Sequence, residues 1–289
     1  MASSSDVETP TKASQDQAAK PKNRDRFAWG SLSPTVRRAI LLVLLLVLWE
    51  TYIRVMDVSP LLFASPTSVA ESLWAGISSG RLIDATLLTL RILVTGMAAG
   101  MGVATLFVIL ATWTQVGDDL LNLLTSMLNP LPAIAILPLA LLWFGLSATA
   151  LIFVIANAVL WPIAINVSMG FKTVPPTVMM VGRNIGLRGP RLVKDVLWKS
   201  ALPHTLSGIK TGWAFGWRTI IAAELVFGVA GSGGGLGFYI NSARYFLRTS
   251  EVFAGLVTIA VIGIALEYVF VAIERRTVVR WGMKDTAGG

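Results

Sequence analysis

Cysteine is absent from this 289-residue sequence, and histidine occurs once, at position 204. The first absence removes disulfide frameworks, thiolate metal sites and cysteine nucleophiles. The second, with no His-Glu cluster, leaves a metal centre nothing to build on. His204 follows Pro203 at the mouth of an apolar run, where a hydrogen bond at a helix end suits it better than chemistry. Charge is scarce too: 14% of residues are Asp, Glu, Lys or Arg, against about a quarter in soluble domains. Between Asp119 and Lys172 there is none. The glycine-rich run GSGGGLG from Gly231 does not fit GxGxxG, and no GxxxxGK[ST] occurs, so the chain is expected to bind no nucleotide or other cofactor itself. It reads as a flexible or re-entrant turn. No residue set supports an enzyme.

What fills the chain is apolar: 54% hydrophobic residues and a mean hydropathy of +0.69. The pattern predicts an all-α membrane protein with six transmembrane helices near Ala39–Met56, Thr86–Ala111, Leu120–Phe144, Ser147–Phe171, Thr205–Val229 and Val252–Ile273. Each is close to the ~20 residues that cross the hydrocarbon core. Gly145 is the expected hinge between the third and fourth. Residues 1–35 read as a disordered cytoplasmic tail, 36–280 as the transmembrane domain and 281–289 as a second tail; the first span is expected to stay attached as an anchor.

The net charge of +8 is explained by position. Basic residues gather before the first span, between Lys172 and Lys199, and after the last span. The segments assigned outside carry only Arg81, Arg244 and Arg248. That asymmetry places both termini and the central loop in the cytoplasm and reports a membrane topology, not nucleic-acid binding.

Within the spans, Gly208, Gly212 and Gly216 recur every four residues, as do Gly96 and Gly100, letting helices approach closely within one subunit or between two. Pro130, Pro132 and Pro138 are expected to interrupt the third helix and Pro162 the fourth, as in helices that line a cavity or pack on protein. Ser65 to Gly80 reads as a short outside helix with Ser68 and Glu71 as its capping box. Arg91 either snorkels or meets Asp84 on the same face, and Glu50 and Arg54, four apart, can pair. Arg218 and Glu224 stand about 120 degrees apart on the fifth span, too far round to satisfy one another. Arg218 is either a planar cation turned to a path for an oxyanion or one half of a salt bridge to another helix.

The polar island is RNIGLRGPRLVKDVLWKSALP, Arg183 to Pro203. Pro176 can open a short helix that closes at Gly186, and a second starts at Pro190 and ends near Lys199. On the second, Leu192, Val193, Val196 and Leu197 form an apolar stripe, while Arg191, Lys194, Asp195 and Trp198 share another face.

This stretch resembles the EAA loop of permease subunits of binding-protein-dependent ABC importers of the nitrate, sulfonate, taurine and bicarbonate class. Gly186 stands at the loop's glycine, nine residues separate it from Val196, and Ala201-Leu202-Pro203 matches the closing ALP. Met180-Val181-Gly182 replaces Glu-Ala-Ala, and Trp198-Lys199 replaces an earlier Leu-Pro. Leu128–Ser147, Trp217–Gly228 and Gly235–Thr249 resemble further segments of the class in the same order. The resemblance implies a type I importer permease, working as two copies, with a coupling loop over residues 174–204. A separate ATPase carrying ATP and magnesium would dock there through Arg183, Gly186, Leu187, Arg188, Arg191, Lys194, Asp195, Trp198 and Pro203, and a solute-binding protein would deliver cargo outside. The expected path residues are Arg218, Glu224, Trp217 and Pro138. The rival reading is a stand-alone secondary transporter or channel for small anions, for which Glu224 and Glu267 are a thin basis.

Overall fold

In a computed structural model the described residues are 33–227 and 234–279; the two tails, and the Gly231 end of the glycine-rich run, fall outside them. The chain divides after Tyr52 into two units. The first holds α1 (Pro34–Val55) up to Tyr52, and the helix's stretch from Ile40 to Leu48 is apolar at every position.

The second unit holds α2 (Pro66–Ser78), α3 (Arg81–Trp113), α4 (Gln115–Leu128), α5 (Leu137–Phe144), α6 (Ala148–Lys172), α7 (Pro176–Asn184), α8 (Pro190–Leu192), α9 (Trp198–Ser200), α10 (Leu202–Phe227), α11 (Leu236–Tyr245) and α12 (Thr249–Glu274). By length and composition α3, α6 and α12 can each cross a membrane, and α4 with the residues to Phe144 makes a fourth if that bent pair is one span. The six predicted spans are thus three or four by this measure among the described residues. α10 is 26 residues long but carries Lys210, Arg218 and Glu224; α1 is 22 residues long and carries Arg37, Arg38, Glu50 and Arg54.

α6 is the centre. It packs on α3 along one side and on α10 along the other, and the glycines set how close the helices come. A Cβ on Gly96 would meet Ile155, one on Gly100 the backbone of Ala156, and ones on Gly208, Gly212 and Gly216 would meet Ile163 and Val159. Both glycine repeats therefore serve contacts inside one chain. α11 packs on α10 and α12, and α12 on α2.

Several local expectations change. The predicted third span is bent by 92° between α4 and a 3-10 turn at Ala133–Ile136, because Pro130 and Pro132 fall in succession where the ladder needs donors. Pro138 does not interrupt a helix; it occupies the first turn of α5, where a missing N–H costs nothing. α6 continues through Pro162, whose carbonyl accepts from Asn166 Nδ2 at 2.8 Å. Gly145, with φ +67, ends α5, and the Ser147 hydroxyl caps α6. In α2 the cap is Ser65, accepting from Ser68 N–H at 3.3 Å, since Pro66 takes the first helical position and moves the start one turn earlier than Ser68. Arg91 is exposed, and no ion pair joins it to Asp84 among the described residues.

Candidate functional site

The segment from Lys172 to Pro203 is built on the end of α6. Pro175 and Pro176 open α7, which closes in a Schellman arrangement: Leu187 N–H donates to Gly182 O and Gly186 N–H to Arg183 O, both at 3.0 Å. Gly186 has φ +84 and open space where a Cβ would stand, so the left-handed backbone, not crowding, selects glycine there. Gly182 is where the two short helices touch, for a Cβ on it would lie 3.0 Å from Leu192 Cδ1 and Val196 Cγ2. Only a small residue lets α7 cross there without displacing them.

The second helix is not the uniform α-helix expected from Pro190 to Lys199. It runs as α8, a π turn over Val193–Leu197 and α9, then passes through Ala201 into α10, so Pro203 lies in the first turn of the next helix. Val196 and Leu197 are buried and Leu192 and Val193 half-buried, while Arg191, Lys194, Asp195 and Trp198 are exposed. Lys199 Nζ and Asp195 Oδ1 stand 3.6 Å apart, and Trp198 meets Phe171 of α6 edge-on at 6.3 Å. At the base, a Cβ on Gly170 would overlap the side chains of Ala201 and His204, and His204 Nε2 lies 3.5 Å from Thr173 Oγ1, at the end of α6.

The outward surface is mixed. Arg183, Arg188, Arg191 and Lys194 are exposed beside Met180, Val181 and Ile185, the last 70% exposed, while Leu187 is half-buried. Bare apolar side chains rimmed by cations make up this face. Beside it lies a cavity of about 740 Å³ lined by Asp118, Asp119, Phe171, Lys172, Met179 and Leu197 among others, crossed by the Lys172 Nζ–Asp118 Oδ1 pair at 2.7 Å.

On α10 the named residues separate. Trp217 is buried and stacks on Trp213 at 6.2 Å with 11° between planes. Arg218 is exposed, with no ion pair among the described residues, on a strip shared with exposed Ser207, Phe215 and Val226. Glu224 is 0% exposed and holds Thr89 Oγ1 and Gly237 N–H. Pro138 is exposed on α5. Arg218 and Glu224 are not brought together. Sequence reasoning missed Thr89, Gly235 and Gly237, the partners of Glu224; the Gly-Leu-Gly that follows it along the chain was the available signal.

The second unit thus packs α3 and α10 on α6 and carries an exposed basic segment between α6 and α10. The profile of the binding-protein-dependent transport system inner membrane component matches residues 96–279, and the chain belongs to that family. It is a permease of the inner membrane. The family is one of multi-component transport systems, which a stand-alone transporter is not. The taurine transport system permease protein TauC of Escherichia coli K12 is 33% identical over 81% of this chain and 86% of its own. A putative aliphatic sulfonates transport permease protein, SsuC of Bacillus subtilis 168, is 29% identical over 93% and 94%. The riboflavin transport system permease protein RibX of Chloroflexus aurantiacus is also 29% identical, over 90% and 94%. Among solved structures, an amino acid ABC transporter crystallised with histidines shares the fold, with a TM-score of 0.57 at 14% identity over 71% of this chain and 97% of that one.

Proposed function

We propose that the chain is the path-forming subunit of an ATP-driven importer of a small organic anion, a sulfonate such as taurine being the best-supported cargo. Its spans number six, α1 and α10 included, with both termini in the cytoplasm. Two copies enclose the path. A separate ATPase, holding ATP and magnesium, docks on the segment from Arg183 to Pro203, and a solute-binding protein presents cargo on the opposite face. Arg218 lies on the strip of α10 that faces the path and offers its guanidinium to the anion.

The observation that carries this reading is the segment itself. It is anchored by Leu197 and Ala201 in the core, by Trp198 against Phe171 of α6 and by Val196 against Gly182 of α7, yet presents Arg191, Lys194 and Asp195 outward. A lever needs both properties: a buried side that transmits force and a free side that receives it.

The test is Arg191→Glu combined with Lys194→Glu. The double variant is expected to insert in the membrane and lose both ATPase co-purification and transport. Retention of the ATPase at the parent level contradicts the docking assignment.

A further inference from the structure

Glu224 is wholly enclosed, the only acidic side chain so placed among the described residues. A carboxyl group in such a place is costly unless its oxygens are met, and here both are. Thr89 Oγ1 stands 2.9 Å from Oε1 and 3.0 Å from Oε2, as donor, and Gly237 N–H donates to Oε2 at 2.9 Å. Thr89 Oγ1 accepts in turn from Leu236 N–H at 2.8 Å. Two N–H groups of the first turn of α11 thus end on a pair supplied by α10 and α3. α11 has no side-chain cap of its own at Gly235; Glu224 and Thr89 stand in for one.

The fit excludes any side chain. A Cβ on Gly235 would overlap the Glu224 carboxyl and the Thr89 hydroxyl, and one on Gly237 would come within 2.6 Å of Glu224 Cβ and 2.8 Å of Ile221 O. Leu236 between them is 0% exposed. Gly235 to Gly237 is seated against α10 and α3.

The helix bearing Glu224 is one continuous rod of 26 residues, about 39 Å long. Its opposite end follows Ala201, packed against Gly170 and separated from the π turn only by the short α9. We propose that Glu224, with Thr89, is a positioning residue: it ties α11 to the far end of α10 and to α3 in one joint, so that displacement of α10 by the segment from Arg183 to Pro203 carries α11 with it. Glu224 is then a joint of the moving part and not a ligand of the cargo. The proposal rests on the ATPase-docking reading, which supplies the displacement.

The cysteine-free sequence makes the test direct. Tyr245, the exposed last residue of α11, is replaced by cysteine, and its maleimide labelling rate is measured in the assembled complex in nanodiscs with and without ATP. The expected result is a change of about fivefold or more on adding ATP, abolished by Glu224→Gln and by Thr89→Val but kept by Thr89→Ser, which retains the hydroxyl. An ATP response that persists in both Glu224→Gln and Thr89→Val overturns the proposal. So does parent-like labelling in a Glu224→Gln complex that no longer transports, because Glu224 would then act on cargo. If Glu224→Gln does not accumulate, the Thr89→Val and Thr89→Ser pair decides, since it leaves the carboxyl in place. A parent complex that holds its ATPase but shows no ATP response also overturns it; failure of the ATPase to co-purify with the parent counts instead against the docking reading.

Discussion

Gly100 and Gly102 lie two residues apart on α3, and alanine at each has opposite consequences. A Cβ on Gly100 would stand 2.6 Å from Ala156 O and 3.1 Å from Ala156 Cα, whereas one on Gly102 would meet nothing within 4 Å. Alanine is favoured over glycine inside a helix by about 0.8–1.0 kcal/mol, and at Gly102 nothing opposes that gain. At Gly100 the obstacle is the backbone of α6, which cannot swing aside as a side chain can. Overpacking typically costs about 1–3 kcal/mol, and a backbone obstacle puts Gly100→Ala near the upper end. Net of the propensity gain, Gly100→Ala is expected to lose about 2 kcal/mol and Gly102→Ala to gain up to about 1. For a chain of this size each kcal/mol moves the melting temperature by roughly 2–4 °C, so the two variants should separate clearly in thermal melts of the purified protein in detergent. Equal shifts, or a rise for Gly100→Ala, would refute the claim that this glycine sets the spacing of α3 and α6.

Two further substitutions probe the site. Gly186→Ala places a side chain on a backbone with φ +84 but no steric neighbour; it costs roughly 1–2 kcal/mol locally and is expected to lower ATPase co-purification severalfold while leaving the melt of the α3–α6–α10 core in place. Arg218→Ala is expected to abolish uptake into proteoliposomes with the complex intact, and Arg218→Lys to restore part of it, since lysine keeps the charge but not the planar fork. Dissociation of the complex by Arg218→Ala would favour a structural ion pair across the interface between copies.

The apolar runs made the long helices legible. An uncharged stretch from Asp119 to Lys172 cannot be mistaken, and α6 begins and ends within a residue of its predicted limits. Periodicity also divided the second helix of the basic segment correctly into a face bearing Val196 and Leu197 and a face bearing Arg191 and Lys194. What sequence did not reveal were features decided by tertiary contact. Prolines announce that a helix is perturbed but not how: Pro130 and Pro132 bend the chain sharply, Pro138 starts a helix, and Pro162 lies inside one that continues past it. The π turn at Val193–Leu197 carries no local signal in the residues that form it. Glu224 stood out as a costly group, yet one partner is Thr89, 135 residues earlier in the chain, and the other is a backbone N–H whose only trace in the sequence is the Gly-Leu-Gly that carries it.

The account turns on the segment around Gly186 being the place where an ATPase is held. Its most direct measurement is cross-linking from single cysteines introduced into the cysteine-free chain. A bifunctional reagent at Lys194 should join this chain to the co-purified ATPase, while the same reagent at exposed Trp74 of α2 should not. Cross-links to the ATPase from Trp74 and none from Lys194 would contradict the account.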